Sequence, residues 1–503
     1  MKKKYLLLLI LLLGGFLRFY NIGNESFWLD EGQTATATSQ NFGKLMSDLF
    51  FGGNLLPEYY VANADLPSYY TLLFVWSRVF GITEVSLRSL SALFDIASIA
   101  LTFFLAKRFI GQKGALIASF LYSISLSLIY ASQDARPYSL HVLLALASAY
   151  MLIKALDNNK NSNWVGFVAA AIIGLYNHFL FVLFVGAMAA YVLLRFKEYI
   201  NKPVILKKMI FSFVIIGIAF SPLLYRAFHQ NDAGWLGRPS LPMAAKFIMN
   251  LNTGLYPSAR LIEDIYKFNI YSFTLNDWIL LSSVFFTTAL FSVIFFYSTY
   301  SFFKRFIRTK KGIQINPVND MSFFIIWLLI PILSAVLYSI FTTNVPIFGP
   351  INYLLYCIPP YLILVSSYLS KIKYQKYFIV LILILSVAPI YAYYSNPVKH
   401  QWREAADFMR ERSSKGDVIL LNIYTGQVAF KYYYGISDNI FGVRNAAEAL
   451  NLAGNKDSIW LILASTKYSD PKGKIKKALD ENYKLSEEKH FFEVYVYHYK
   501  KGS

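Results

Sequence analysis

YLLLLILLLGGFLRFYNIGNESFWLDEGQ, residues 5–33, decides how the rest of the chain is read. Residues 5–20 are apolar apart from Arg18, and beyond them stand two adjacent carboxylates, Asp30 and Glu31. Ionisable groups next to a membrane-type segment are costly and mark functional positions. The composition fits such a segment: of 503 residues, 56 % are hydrophobic, 18 % aromatic and 15 % charged, against roughly 25 % charged in a soluble domain. The single cysteine, Cys357, lies in an apolar run, so no intramolecular disulfide can form.

A formal charge of +19 could indicate nucleic acid, but the basic residues are placed otherwise. They cluster at Lys2–Lys4, around Lys107, Arg108 and Lys113, from Arg195 to Lys208, from Lys304 to Lys311, and at Lys371, Lys373 and Lys376. Each cluster lies between apolar spans, in every second loop, which is the pattern of cytoplasmic loops facing anionic lipid. It excludes a nucleic-acid partner.

A membrane helix needs about 20 mostly apolar residues. Candidate spans are 5–20, 86–106, 114–131, 138–156, 164–177, 180–195, 208–226, 278–303, 321–341, 353–370 and 377–394, about eleven transmembrane helices. With the N-terminus inside, the odd count leaves the C-terminus outside and the basic loops in the cytoplasm. A cleaved signal peptide is the alternative for the first span, although no small-x-small site follows it; Asp30 is outside either way. The first outer loop, 21–85, is long and contains SYYTLLFVWSRVFGI (68–82), short and aromatic enough to lie along the interface. The second, SQDARPY (132–138), is a tight turn with Pro137 opening the next helix. From about residue 396 the pattern changes to strands and amphipathic helices, with strands near DVILL, DSIWLILAS and HFFEVYVYHYK and helices at about 425–434, 444–453 and 472–482. The expected architecture is a polytopic α-helical membrane domain, 1–395, with interfacial helices in its first outer loop, followed by a small extracytoplasmic α/β domain, 396–503.

The outer-face polar residues come from separate loops that a helical bundle brings together: Asp30, Glu31, Arg88, Asp134, Arg136 and His178. A carboxylate beside a cavity can act as a general base on a hydroxyl, and Arg and His stabilise phosphate or developing negative charge. The set suits transfer between a phosphorylated lipid and an alcohol or sugar. Each residue also has a structural reading. Asp30 can cap a helix, Glu31 can complement its dipole, Asp134 and Arg136 can pair within their turn, and His178 can bond a neighbouring loop. Arg18 and Arg88 read as snorkelling anchors, and Tyr69 and Tyr70 as interfacial aromatics. No Walker sequence or phosphate loop is present. Asp30, Glu31 and Asp134 offer the hard oxygens that a divalent cation, Mg or Mn, would take.

The blocks LRFYNIGNESFWLDEGQTA, DLPSYYTLLFVWSRVFGITEVSLRSLSALF and LYSISLSLIYASQDARPYSL, in that order, resemble the glycosyltransferase family 39-like proteins of the protein mannosyltransferase and aminoarabinose transferase group, within the glycosyltransferase C superfamily. The likeness is strong over residues 5–200 and returns in QWREAADFM…GDVILL. It implies a multi-pass enzyme of the plasma membrane and cell envelope that moves a sugar from a polyprenyl-phosphate carrier to a glycan, lipid or protein acceptor on the outer face. Asp30 matches the family's base and Glu31 its neighbour that binds acceptor or metal. Asp134 matches the second-loop acid, Arg136 faces the carrier phosphate, and His178 resembles the histidine of the hairpin after span five. Two departures stand out: Asp65-Leu66-Pro67 where relatives have a basic residue or His before Pro-Pro, and Asn352-Tyr353-Leu354 where they have Arg-Tyr-Leu. Phosphate binding then leans on Arg136, His178 and a basic residue after span seven such as Arg226 or Arg238, and Asp65, Tyr69, Tyr70 and Asp134 fall to the acceptor. Two other functions fit less well. A transporter or flippase of lipid-linked glycans would show paired halves with broken helices, and a catalytically altered relative with a binding role would follow from the departures.

Overall fold

A computed structural model describes residues 3–51, 54–56, 59–60, 66–228, 239–252, 254, 261, 264–265, 269–309, 321–341, 348, 351–414, 416–422, 426–454 and 456–501. Every apolar stretch read from the sequence is helical. The first is α1 (Lys3–Phe19); between it and the next long helix come α2 (Leu29–Ser39), α3 (Phe42–Phe51), the short strands β1 (Asn54–Leu56) and β2 (Tyr59–Tyr60), and α4 (Pro67–Phe80). Then follow α5 (Glu84–Ser123), α6 (Leu126–Ser132), α7 (Tyr138–Asn158), α8 (Asn161–Leu175) and α9 (Phe181–Leu194). Later helices cover Pro203–Phe228, Leu275–Thr309, Ser322–Phe341, Ile358–Leu369 and Gln375–Ser395.

Among the described residues, seven helices are long and apolar enough to cross a membrane, and three apolar helices are shorter, so the chain is built as a multi-pass membrane protein. The expected span 86–106 and the first part of 114–131 are joined into α5, which breaks at Gly111 (φ 69, ψ 178), while the rest of 114–131 falls in α6. Only glycine takes that backbone conformation readily, and the basic residues Lys107, Arg108 and Lys113 surround the break. The bundle has a centre and a rim. Ile351–Leu369 is 83 % buried over its apolar window, whereas Pro203–Leu224 is 17 % buried and presents Phe211, Val214 and Ile218 outward, as lipid-facing helices do. Pro222, Pro331 and Pro389 lie inside such helices, where neighbouring helices can make up the lost hydrogen bond.

The C-terminal part forms a five-stranded sheet in the order β4–β3–β5–β7–β6, built from β3 (Val418–Leu421), β4 (Ile440–Gly442), β5 (Ser458–Ala464), β6 (Lys484–Phe491) and β7 (Val494–Lys500). β4, β3 and β5 run parallel, and β7 and β6 complete the sheet antiparallel. β3 and β5 are buried along nearly their whole length, as strands covered by helices on both faces must be. The stretch read as one strand, HFFEVYVYHYK, holds the end of β6, a tight turn at Glu493 (φ 57) and the whole of β7. This unit does not simply hang from the last span. Its helix Gly426–Tyr434 lies against α2, so closely that a Cβ on Gly32 would sit 2.7 Å from Ala429 Cα.

Candidate active site

The first outer loop is tied down before it reaches Asp30. Arg88, near the start of α5, points into the loop and uses all five N–H groups. It donates to the carbonyls of Ile22 (2.9 Å), Glu25 (2.8 Å) and Ser26 (3.0 Å), and takes Glu31 bidentately at 2.8 and 2.7 Å. It is a buried structural clamp rather than a snorkelling anchor. Arg18 departs from its reading in the same way: it is fully buried, its Nε 2.5 Å from Asp95 Oδ2, and Tyr122 donates to the other oxygen at 2.6 Å. An apolar face cannot hold a lone charge, so each arginine is paired with a carboxylate.

Asp30 and Glu31 diverge. Both sit in the first turn of α2, which begins at Leu29, so Asp30 lies inside the helix rather than capping it. Glu31 is fully buried, and besides Arg88 it accepts from Ala135 N at 2.9 Å and Trp28 N at 3.4 Å, with Lys399 Nζ at 3.1 Å. Burial alone would raise its carboxyl, but Arg88 and Lys399 outweigh this and hold it down at about 2. Glu31 thus ties the loop to α5, to the second turn and to Lys399. Asp30 keeps 30 % of its side chain exposed and lies 3.8 Å from Arg136 Nη2.

The second outer turn is buried against α2. Asp134 accepts from Trp28 Nε1 at 2.8 Å and lies 3.4 Å from Lys399 Nζ, while its Oδ2 has no hydrogen-bond partner among the described residues. Burial raises its carboxyl to about 6, with Lys399 pulling it down and Glu31 pushing it up. Asp134 and Arg136 do not pair in their turn. Arg136 Nη1 instead donates to Tyr70 OH at 2.8 Å, and Tyr70 OH lies 3.3 Å from Thr34 Oγ1, so Tyr70 aims the guanidinium towards Asp30. Tyr69, also fully buried, shares a 2.9 Å bond with Ser91 and braces α4 on α5.

The hairpin between α8 and α9 closes the group. Asn177 Nδ2 donates to Pro137 O and Ser68 N to Tyr176 O, both at 3.0 Å, joining the hairpin to the second turn and to α4. His178 packs among aromatic rings, 5.1 Å from His141, 5.5 Å from Tyr353 and 6.4 Å from Tyr138 between centroids, and its Nδ1 faces Leu180 N at 3.2 Å. Asn352 sits in the 3-10 stretch Ile351–Cys357. Asp65, Arg238 and the side chain of Arg226 lie outside the described residues.

Lys399 is the residue that sequence reasoning missed. It follows the last apolar helix in the unremarkable run NPVKHQW and reaches Gln133 O (2.8 Å) as well as Glu31 and Asp134. Its backbone is held in turn, since Val398 N and Lys399 N donate to Glu25 at 2.9 and 2.7 Å. With Lys399 in place the donor set does not fit a divalent cation between Glu31 and Asp134, because the ammonium occupies the space between the two carboxylates. Among the described residues, no group of three or more His, Cys, Asp or Glu is placed to hold a metal.

The architecture is that of a helical multi-pass membrane protein and has counterparts among solved structures. Residues 67–225 match the dolichyl-phosphate-mannose-protein mannosyltransferase family. The fold is similar to ArnT from Cupriavidus metallidurans, both bound to undecaprenyl phosphate (TM-score 0.57, 12 % identity, 99 % of this chain and 98 % of that one) and in the apo state (TM-score 0.60, 12 % identity, 98 % and 97 %). It is also similar to the Archaeoglobus fulgidus oligosaccharyltransferase in complex with Zn and sulfate (TM-score 0.52, 12 % identity, 98 % and 72 %). In sequence, an uncharacterized protein of Aquifex aeolicus is 30 % identical over 206 residues, 39 % of this chain and 38 % of that relative's length.

Proposed function

We propose that the protein transfers a sugar from a polyprenyl-phosphate carrier to an acceptor hydroxyl at the outer face of the membrane. The observation that carries this reading is the division of labour among three carboxylates: Glu31 and Asp134 are buried, and Asp30 alone of the three is part-exposed, beside Arg136 at 3.8 Å. The family match and the likeness to a fold seen with undecaprenyl phosphate support the lipid-linked donor.

In the proposed reaction the acceptor oxygen attacks the anomeric carbon. The bond from that carbon to the carrier phosphate breaks, its electron pair stays on the phosphate oxygen, and the hydroxyl proton passes to Asp30. A single displacement inverts the anomeric centre. Arg136, aimed by Tyr70, takes the phosphate. The incoming phosphate also competes with Asp30 for the guanidinium, which leaves the carboxylate available to the acceptor just as donor is bound. His178 borders the phosphate side, and the α/β domain, 396–503, lies outside, against the acceptor approach.

The test is turnover by the purified full chain in nanodiscs with polyprenyl-phosphate-linked sugars. Asp30→Asn is expected to lower turnover at least ~100-fold, the low end for loss of a general base, with an unchanged melting temperature. Near-normal turnover in that variant overturns the assignment.

A further inference from the structure

Lys399 Nζ sits among three oxygens, Gln133 O at 2.8 Å, Glu31 Oε2 at 3.1 Å and Asp134 Oδ1 at 3.4 Å, with 3 % of its side chain exposed. Glu31 and Asp134 bring two negative charges into this buried space, and Arg88 supplies one positive charge from the far side of Glu31. One further unit of positive charge closes the balance. An ammonium ion gives that value, whereas a dication added to Lys399 would exceed it.

The same carboxylates set the second outer turn. Glu31 Oε1 receives Ala135 N at 2.9 Å, and Asp134 and Arg136 flank that residue, so spacing Glu31 from Asp134 also fixes where Arg136 stands relative to Asp30. We propose that Lys399 is a built-in replacement for a metal ion: a positioning residue whose ammonium neutralises and spaces Glu31 and Asp134 and thereby locks the Arg136 turn onto the helix bearing Asp30. Its catalytic consequence rests on the transferase reading; the cation exchange itself does not. A polar cavity of about 320 Å³, lined by Glu25, Lys399, Arg403 and Glu404 among others, lies beside Lys399.

The probe is Mn²⁺ alone, followed by electron paramagnetic resonance on the full chain in nanodiscs. The wild type is expected to bind Mn²⁺ only weakly, with no change on Asp134→Asn. Lys399→Ser vacates the space between two buried carboxylates, one of which has an oxygen without a hydrogen-bond partner. It is expected to take up one Mn²⁺ at least tenfold more tightly than the wild type, to gain thermal stability from it, and to lose both gains when Asp134→Asn is added. Asp134-dependent Mn²⁺ binding by the wild type overturns the inference, and so does a folded Lys399→Ser protein with no gain in affinity. Should Lys399→Ser fail to fold, recovery of folded protein by expression in Mn²⁺-supplemented medium supports the inference and absence of recovery overturns it. None of these readouts needs turnover. A wild type that transfers sugar yet binds Mn²⁺ through Asp134 sinks this inference alone, and an inactive wild type with the expected Mn²⁺ behaviour sinks the transferase reading alone.

Discussion

Asp30 and Glu31 are neighbours in sequence and opposites in environment, because successive helical positions point about 100° apart. One faces the site and the other the clamp made by Arg88 and Lys399. Removing one partner of a buried ion pair strands the other, at a cost of about 3–5 kcal/mol. Glu31→Gln is therefore expected to lower the melting temperature markedly, while Asp30→Asn leaves it in place. The two buried acids also differ in pH response. Asp134, whose ordinary value is 3.8, titrates near 6 in the folded protein, so the ionised form costs stability above about pH 6 and that cost fades as pH falls from 6 towards 4. Asp134→Asn should compare best with the wild type at pH 8, and its relative standing should fall by on the order of 1 kcal/mol by pH 5. The Glu31 carboxyl is lowered to about 2, so its stabilisation is fully present above 4.5 and is lost as pH falls through about 2. The penalty of Glu31→Gln should be alike at pH 8 and pH 5. Thermal denaturation of both variants at the two pH values checks the contrast. The pairings behind these effects were hidden in the sequence: an arginine near a helix end reads as an anchor whether or not it has a buried partner, and Asp95 lies 77 residues from Arg18. The available signal was Asp95 itself, a carboxylate inside an apolar run, which requires a cation.

At the scale of elements, the sequence was legible wherever the determinant is local. Apolar runs, basic loops and amphipathic periodicity place the helices of the bundle and most elements of the α/β unit. β4 was missed because three residues carry no pattern, most of β6 because KLSEEKHF is exposed and charged, and the turn between β6 and β7 because Glu493 is not a usual residue for a left-handed turn. The seating of α2 is a packing fact no local pattern records. Gly32 admits the backbone of Ala429 at a distance a side chain would fill, so Gly32→Ala must part the two helices. Overpacking of this kind costs about 1–3 kcal/mol, and the variant is expected to melt earlier and, on the proposed function, to turn over more slowly because Asp30 rides on the displaced helix. A melting curve equal to that of the wild type would refute the close seating.

For the whole molecule, the α/β unit and the first outer loop form one continuous structure. Tyr433 OH accepts from Phe27 N at 2.6 Å and donates to Glu84 at 2.7 Å, Arg403 pairs with Glu84 at 3.1 Å, and Ser26 Oγ donates to His400 O at 2.7 Å. Tyr433→Phe removes two of these links, each worth about 1 kcal/mol, and should speed hydrogen exchange of the amides around residues 25–33 by up to about thirtyfold, read by mass spectrometry. The convergence of Asp30, Asp134 and Arg136 followed from topology, since the loops of a bundle meet at one face. Lys399 could not be found that way, because it belongs to no motif and meets Asp134 across 265 residues. That separation has a consequence in time. Chains are made from the N-terminus, and their early parts fold as units while later parts are still being synthesised. Glu31 and Asp134 are thus made long before residue 399 exists, and a chain stopped short of it carries the two acids without the ammonium between them. Products that end before residue 399 should therefore be unstable enough to be cleared by proteolysis before they can act.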